Sequence, residues 1–226
     1  MKKRNIWLLT ILSFITCALH AIMLNTPFNF YLYTSIFKII VFLLCPVIYF
    51  GLSKDGKIKD LFFVKGDKKN IKFSFILGLV VFAVIMVAYM ILHSFLDKEM
   101  IVGALAHNGI TAGNFAVVFI YVVVINAALE EIFFRGFVFL TLYHMDYKRY
   151  AYVYSSFLFA FYHVAVLNNA LLPGMFIFCI AGLVGAGLIF NALAIRCKNI
   201  TGSLIVHISA NLALNLIVSF NFAFVK

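Results

Sequence analysis

A few polar residues stand inside long apolar stretches of this sequence, and their types and spacing suggest chemistry. Glu130 and Glu131 are adjacent in Ala127-Ala128-Leu129-Glu130-Glu131-Ile132-Phe133-Phe134-Arg135-Gly136. His163 follows Phe159 by one helical turn, and His207 precedes Asn211 by one turn, with Asn215 continuing that stripe. A carboxylate beside an imidazole can hold and deprotonate a water, then return the proton to a leaving amine. A second histidine with an asparagine one turn on supplies donors toward a developing oxyanion, often the largest catalytic contribution. There is no serine in a GxSxG elbow and no His–Cys arrangement, so the pattern favours water-mediated amide hydrolysis over covalent catalysis.

Helical spacing sorts these groups. Glu131 and Arg135 are four apart, share a face and can pair. Glu130 points about 100° away on a 3.6-residue helix, free to face something else. The bland alternative is a buried ion pair plus one protonated glutamate. Taken singly, His163 or His207 reads as a packing residue, and Asn211 and Asn215 as hydrogen-bonding glue between helices. His20 and His93, near span ends, and His144, at a cytoplasmic end, read as interface or snorkelling residues; His107 falls in a loop. Depth turns the single signals into a constellation. Glu130 lies 14 residues before His144, and His163 lies 14 residues after Arg149, which places both about 21 Å from the cytoplasmic ends of their helices. His207 and Asn211 fall about 14–20 Å along theirs, so one layer can hold all four.

The elements that must position them are membrane spans. Of 226 residues, 65% are hydrophobic and 12% charged, with 27 Phe beside one Trp. A soluble domain could not hide that much apolar surface, which excludes a soluble enzyme, a disordered chain and a disulfide scaffold. Stretches long enough to cross a bilayer fall at 6–24, 31–52, 73–96, 115–143, 150–167, 175–195 and 200–225. The expected fold is therefore all-α, a polytopic bundle of seven transmembrane helices, because a helix satisfies its own backbone in lipid. The net charge of +10 is clustered: fourteen of the 18 Lys and Arg residues lie in Lys2–Arg4, between Lys54 and Lys72, at Lys148 and Arg149, and at Arg196 and Lys198. Seven spans with a cytoplasmic N-terminus put all four clusters inside and the loops 25–30, 97–114 and 168–174 outside, as the positive-inside rule requires. The charge thus reports topology, not nucleic-acid binding. The 97–114 loop could form a short helix on or in the surface. The first apolar run reads as an uncleaved span, not a signal peptide. Cys17, Cys45, Cys179 and Cys197 are scattered, without CxxC, and suggest neither a zinc site nor disulfides.

Glu130-Glu131-x-x-x-Arg135, Phe159-x-x-x-His163 and His207-x-x-x-Asn211, in that order on successive spans, resemble the three motifs of the CPBP family. That family includes the CAAX prenyl endopeptidases and the bacteriocin-processing or immunity proteins, also called the Abi family. The resemblance implies an intramembrane endopeptidase in which Glu130 activates water with help from His163. It implies His207 and Asn211 on the oxyanion side, and Glu131, Arg135 and Phe159 in support. It covers 115–225 as a catalytic core within a single integral membrane domain over 1–226. Eight spans are typical of the best-described members, which leaves an eighth as an alternative, and their sites open toward the cytoplasm. The implied substrate is a membrane-embedded or lipidated peptide in the bilayer; Lys-, Ile-, Asn- and Phe-rich usage suggests a bacterial cell membrane.

No cofactor is expected. HExxH is absent, although zinc remains a possible cofactor with Glu130, His163 and His207 as ligands. Two other functions compete: a non-catalytic immunity or regulatory protein of the same family, and a transporter or proton relay. The transporter reading lacks inverted repeats or broken helices. It does accommodate Lys38, a charge in the second span that cannot easily snorkel and is left to pair with a carbonyl or line a cavity.

Overall fold

Without water to bond to, a backbone in hydrocarbon must close its hydrogen bonds within itself, and the described spans of this chain do so by helix. The computed structural model describes residues 2–26, 30–53, 68–167 and 173–224, with no strand among them. The lysine-rich stretch 54–67, residues 27–29 and 168–172 of two predicted outer loops, and Lys226 lie outside the described residues.

In chain order the described helices are α1 (Lys2–Leu24), α2 (Tyr31–Ser53), α3 (Lys68–Leu92), α4 (Lys98–His107), α5 (Phe115–His144), α6 (Lys148–Leu167), α7 (Pro173–Cys197) and α8 (Thr201–Phe224). All but α4 contain a segment long and apolar enough to cross a membrane, making seven spans among the described residues. The third departs from its expected boundaries. It starts earlier, at Lys68, and stops at Leu92, where a 3₁₀ turn over His93–Phe95 takes over. Asp97 then caps α4, its carboxylate accepting from the Met100 amide at 2.9 Å, which satisfies one of the free donors of a helix start. So the 97–114 segment does hold a short helix. It is strapped to the head of α2 by the Tyr31 amide donating to the Asn108 carbonyl at 2.9 Å.

The long fourth span is not a uniform α-helix. Tyr121–Asn126 and Glu131–Leu140 are π-helical, separated by an α turn at Ala127–Glu130. The wider turns disturb the regular carbonyl pairing. One carbonyl in each π segment takes a donor from a neighbouring helix: Asn211 Nδ2 reaches Val122 O at 3.1 Å, and Ser155 Oγ reaches Phe134 O at 3.0 Å. The same features therefore pin α8 and α6 to α5.

Burial along α5 is uneven. From Phe115 to Asn126 only Val123 is buried, whereas from Glu130 to Leu140 every residue but Ile132 is. The buried half meets an aromatic core in which Phe42 stacks on Phe133 at 4.2 Å and Tyr49 meets Phe137 edge-on at 5.4 Å. Outward-facing apolar residues such as Leu79, Met90 and Val117 are at least 70% exposed, a surface suited to acyl chains. On the inner side α6 and α7 approach closely. A Cβ built at Gly187 would lie 2.8 Å from Ser156 Cα, so only glycine permits that spacing. Gly187→Ala is expected to cost about 1–3 kcal/mol of stability by overpacking, read as a lowered unfolding midpoint in detergent. Gly182→Ala, whose Cβ would meet nothing within 4 Å, should show no such loss.

Candidate active site

The π-distorted α5 carries Glu130 and Glu131 into the middle of the bundle, each with its own cation. Glu130 Oε1 accepts from Lys38 Nζ of α2 at 2.5 Å and from Asn126 Nδ2, one turn earlier on α5, at 2.9 Å. Lys38 also donates to Asn126 Oδ1, which closes a three-membered cluster. Glu131 Oε1 lies 3.3 Å from Arg135 Nη1, in an ion pair with both side chains fully buried. That contact is electrostatic and not an aligned hydrogen bond. The guanidinium instead rests on aromatic faces, 4.2 Å from the Phe159 centroid and 4.8 Å from Phe190, where cation–π attraction is strongest once water is gone.

The two imidazoles complete the group. His163 Nδ1 meets the Phe159 carbonyl at 2.8 Å, and His207 Nδ1 meets Glu131 Oε1 at 2.9 Å. Both partners accept, so each Nδ1 carries a proton, and in that tautomer the lone pair of each ring lies at Nε2. Those nitrogens face Glu130 Oε2, at 3.9 Å from His163 and 3.6 Å from His207. Oε2 has no hydrogen-bond partner among the described residues. Three acceptors therefore converge without a donor between them. A water donating to the carboxylate oxygen and to a ring nitrogen would satisfy two of them. Phe159 holds both rings, its centroid 4.6 Å from His163 and 5.9 Å from His207, while Phe190 stacks on His207 at 5.2 Å. Of the trio, His163 is the accessible member, with 17% of its side chain exposed against 5% for His207 and 2% for Glu130.

The structure thus brings Glu130, His163 and His207 together, with Glu131, Arg135 and Phe159 packed around them. Asn211 lies one turn further along α8, and its amide goes to the Val122 carbonyl. Two residues at the carboxylate had no such assignment from sequence. Lys38 stood out as a stray charge but without a partner, and Asn126 sits at i−4 from Glu130, a spacing that signals a shared face. Phe190 carried no signal. His20 corrects the interface reading: it is buried, 5.2 Å from Tyr162 and 6.3 Å from Phe42, turned into the bundle.

Residues 112–213 match the family model described as type II CAAX prenyl endopeptidase Rce1-like. That stretch is similar to the CAAX-protease (CPBP) family. The match spans all three motifs, from Glu130 to Asn211, so the matched segment is the one that carries the buried cluster. No curated protein and no solved structure matches the chain.

Carboxylate and imidazole are ligand types that zinc accepts. Glu130, His163 and His207 do not form a metal-binding group in this arrangement, and the Lys38 ammonium already sits on the carboxylate a metal would need. Arg135→Met is expected to cost about 3–5 kcal/mol by leaving Glu131 charged and alone in the core. Adding Glu131→Gln should recover most of that loss in denaturant unfolding of the full-length protein.

Proposed function

We propose that this integral membrane protein is an intramembrane endopeptidase that hydrolyses a peptide bond with a water activated by Glu130. The reading is carried by one observation: Oε2 of a buried carboxylate, lacking a partner among the described residues, faces the Nε2 atoms of His163 and His207. In the first step the water oxygen bonds to the substrate carbonyl carbon while its proton passes to Glu130 Oε2, and His163 holds the water in place. The carbonyl oxygen becomes an oxyanion. The family motif assigns His207 and Asn211 to that oxyanion side, where the remaining N–H of the Asn211 amide can donate. The C–N bond then breaks, and the proton on Glu130 transfers to the leaving nitrogen.

The substrate in this reading is a membrane-associated peptide or a lipidated C-terminal segment, in keeping with the prenyl endopeptidases for which the family model is named. It approaches along α6 past His163, the exposed member of the trio. The aromatic packing of α5 beyond Glu130 favours entry from the half of the bundle nearer Phe115. With the basic clusters inside, that is the face opposite the cytoplasmic opening expected from resemblance. A non-catalytic immunity or regulatory role would leave three converging acceptors without a purpose.

Glu130→Gln, nearly isosteric, is expected to abolish cleavage of a membrane peptide reporter in reconstituted vesicles while the protein remains folded. Retained cleavage would transfer the case to the non-catalytic role. His163→Ala should lower the rate by about 10²–10⁴-fold, measured on the same reporter. Because the steps use only side chains, treatment with a strong zinc chelator is expected to leave the cleavage rate unchanged; loss on chelation and return with zinc would reverse that expectation.

A further inference from the structure

Lys38 has no place in the three family motifs, yet it is the closest charged neighbour of the proposed base. Its ammonium is buried, lies 2.5 Å from Glu130 Oε1 and donates also to Asn126 Oδ1. Asn126 returns a donor to the same Oε1 at 2.9 Å. The ammonium is flanked by the rings of Tyr162 at 4.8 Å and Phe42 at 5.3 Å, which exclude water and strengthen the charge contact. Among the described residues, every donor on the Glu130 carboxylate is thus on Oε1, while Oε2 is left to the two imidazoles.

We propose that Lys38, together with Asn126, is a positioning residue for the hydrolytic reaction: it engages one oxygen of Glu130, holds the carboxylate ionised within the bundle and thereby makes Oε2 the single base. This rests on the reading of Glu130 as base given above. A carboxylate with both oxygens free could rotate, and one without a cation would not stay charged in a low-dielectric interior. The clamp fixes both orientation and charge before substrate arrives. It also gives α2, which lies outside the matched segment, a direct part in the site.

The test uses the full-length protein in vesicles with a peptide reporter, together with infrared spectroscopy of the same preparations. Lys38→Met is expected to lower kcat on the order of 10²-fold, the scale of a misplaced reacting group, with KM almost unchanged. It should also produce the carbonyl stretch of a protonated carboxylic acid, a band absent from the unsubstituted protein and removed again in Lys38→Met/Glu130→Gln. Lys38→Arg, which keeps the charge, should retain more kcat than Lys38→Met. A merely structural ion pair would lower the unfolding midpoint without splitting kcat from KM. Wild-type kcat in Lys38→Met, or absence of the acid band, would overturn the proposal. Should Lys38→Met fail to fold, Asn126→Leu keeps the ion pair and removes the second donor: a reduced kcat at constant KM supports the clamp, and an unchanged kcat overturns it. Glu130→Gln run in parallel separates the two ideas, since cleavage by that variant defeats the base assignment, whereas the band in Lys38→Met bears on the clamp alone.

Discussion

Two neighbouring carboxylates inside an apolar bundle repel each other and lose their hydration, so the fold has to supply each with a positive partner. It does so from different directions. Arg135 neutralises Glu131 from one turn along the same helix, and Lys38 neutralises Glu130 from α2. The local pair forms whenever α5 is helical; the second requires α2 to dock at one register and face. Because the penalty for a missed ion is several kcal/mol, that docking is strongly specified. The aromatic residues around both cations belong to the same constraint. Phe159 and Phe190 cover the guanidinium, Phe42 and Tyr162 flank the ammonium, and these rings are also continuous with the core. The candidate site is therefore part of what holds the bundle together.

His207 ties the two pairs to each other. Its Nδ1 contacts Glu131 while its Nε2 faces Glu130, so the ring cannot turn without losing its anchor. The π segments of α5 make a second set of ties. Val122 O and Phe134 O are reached by Asn211 and Ser155, from the two helices that deliver His207 and His163. A backbone irregularity that would be costly in lipid is thus satisfied by protein, and the satisfied irregularity sets the height of both imidazoles against the carboxylates. Asn211 belongs to this arrangement first. Any service to a bound substrate would use what its amide has left over.

Much of this was legible in the sequence, for identifiable reasons. The spans follow from apolar length alone, and their number agrees with the helices found. The i,i+4 relation of Glu131 and Arg135 is local, so spacing sufficed to pair them. Depth counting put Glu130, His163, His207 and Asn211 in one layer because rise per residue is nearly constant; the first three meet, while the Asn211 amide goes to the Val122 carbonyl. What could not be read depended on neighbours or on backbone irregularity. The π segments carry no distinct residue pattern. Lys38 was visible as an anomaly, but its partner lies 92 positions away, beyond any periodicity. His20 went astray because nearness to a span end says nothing of which face of α1 it occupies, and here that face meets Tyr162.

The proposed hydrolysis within a bilayer sets a final requirement: water must reach a carboxylate that the fold has gone far to desolvate. The distribution of burial meets both demands. Along α5 the packing is dense from Glu130 to Leu140 and sparse from Phe115 to Asn126, so Glu130 stands where closed core gives way to a looser bundle. Its Oε1 is spent on Lys38 and Asn126, and its Oε2 looks toward His163, the partner with measurable exposure. One oxygen serves the fold and the other remains available. A symmetric environment could not do this, since two engaged oxygens would leave no base and two free ones would leave an unpaired charge in hydrocarbon. In the proposed reaction, the division of one carboxylate between two tasks is what lets a buried acid be both stable and reactive.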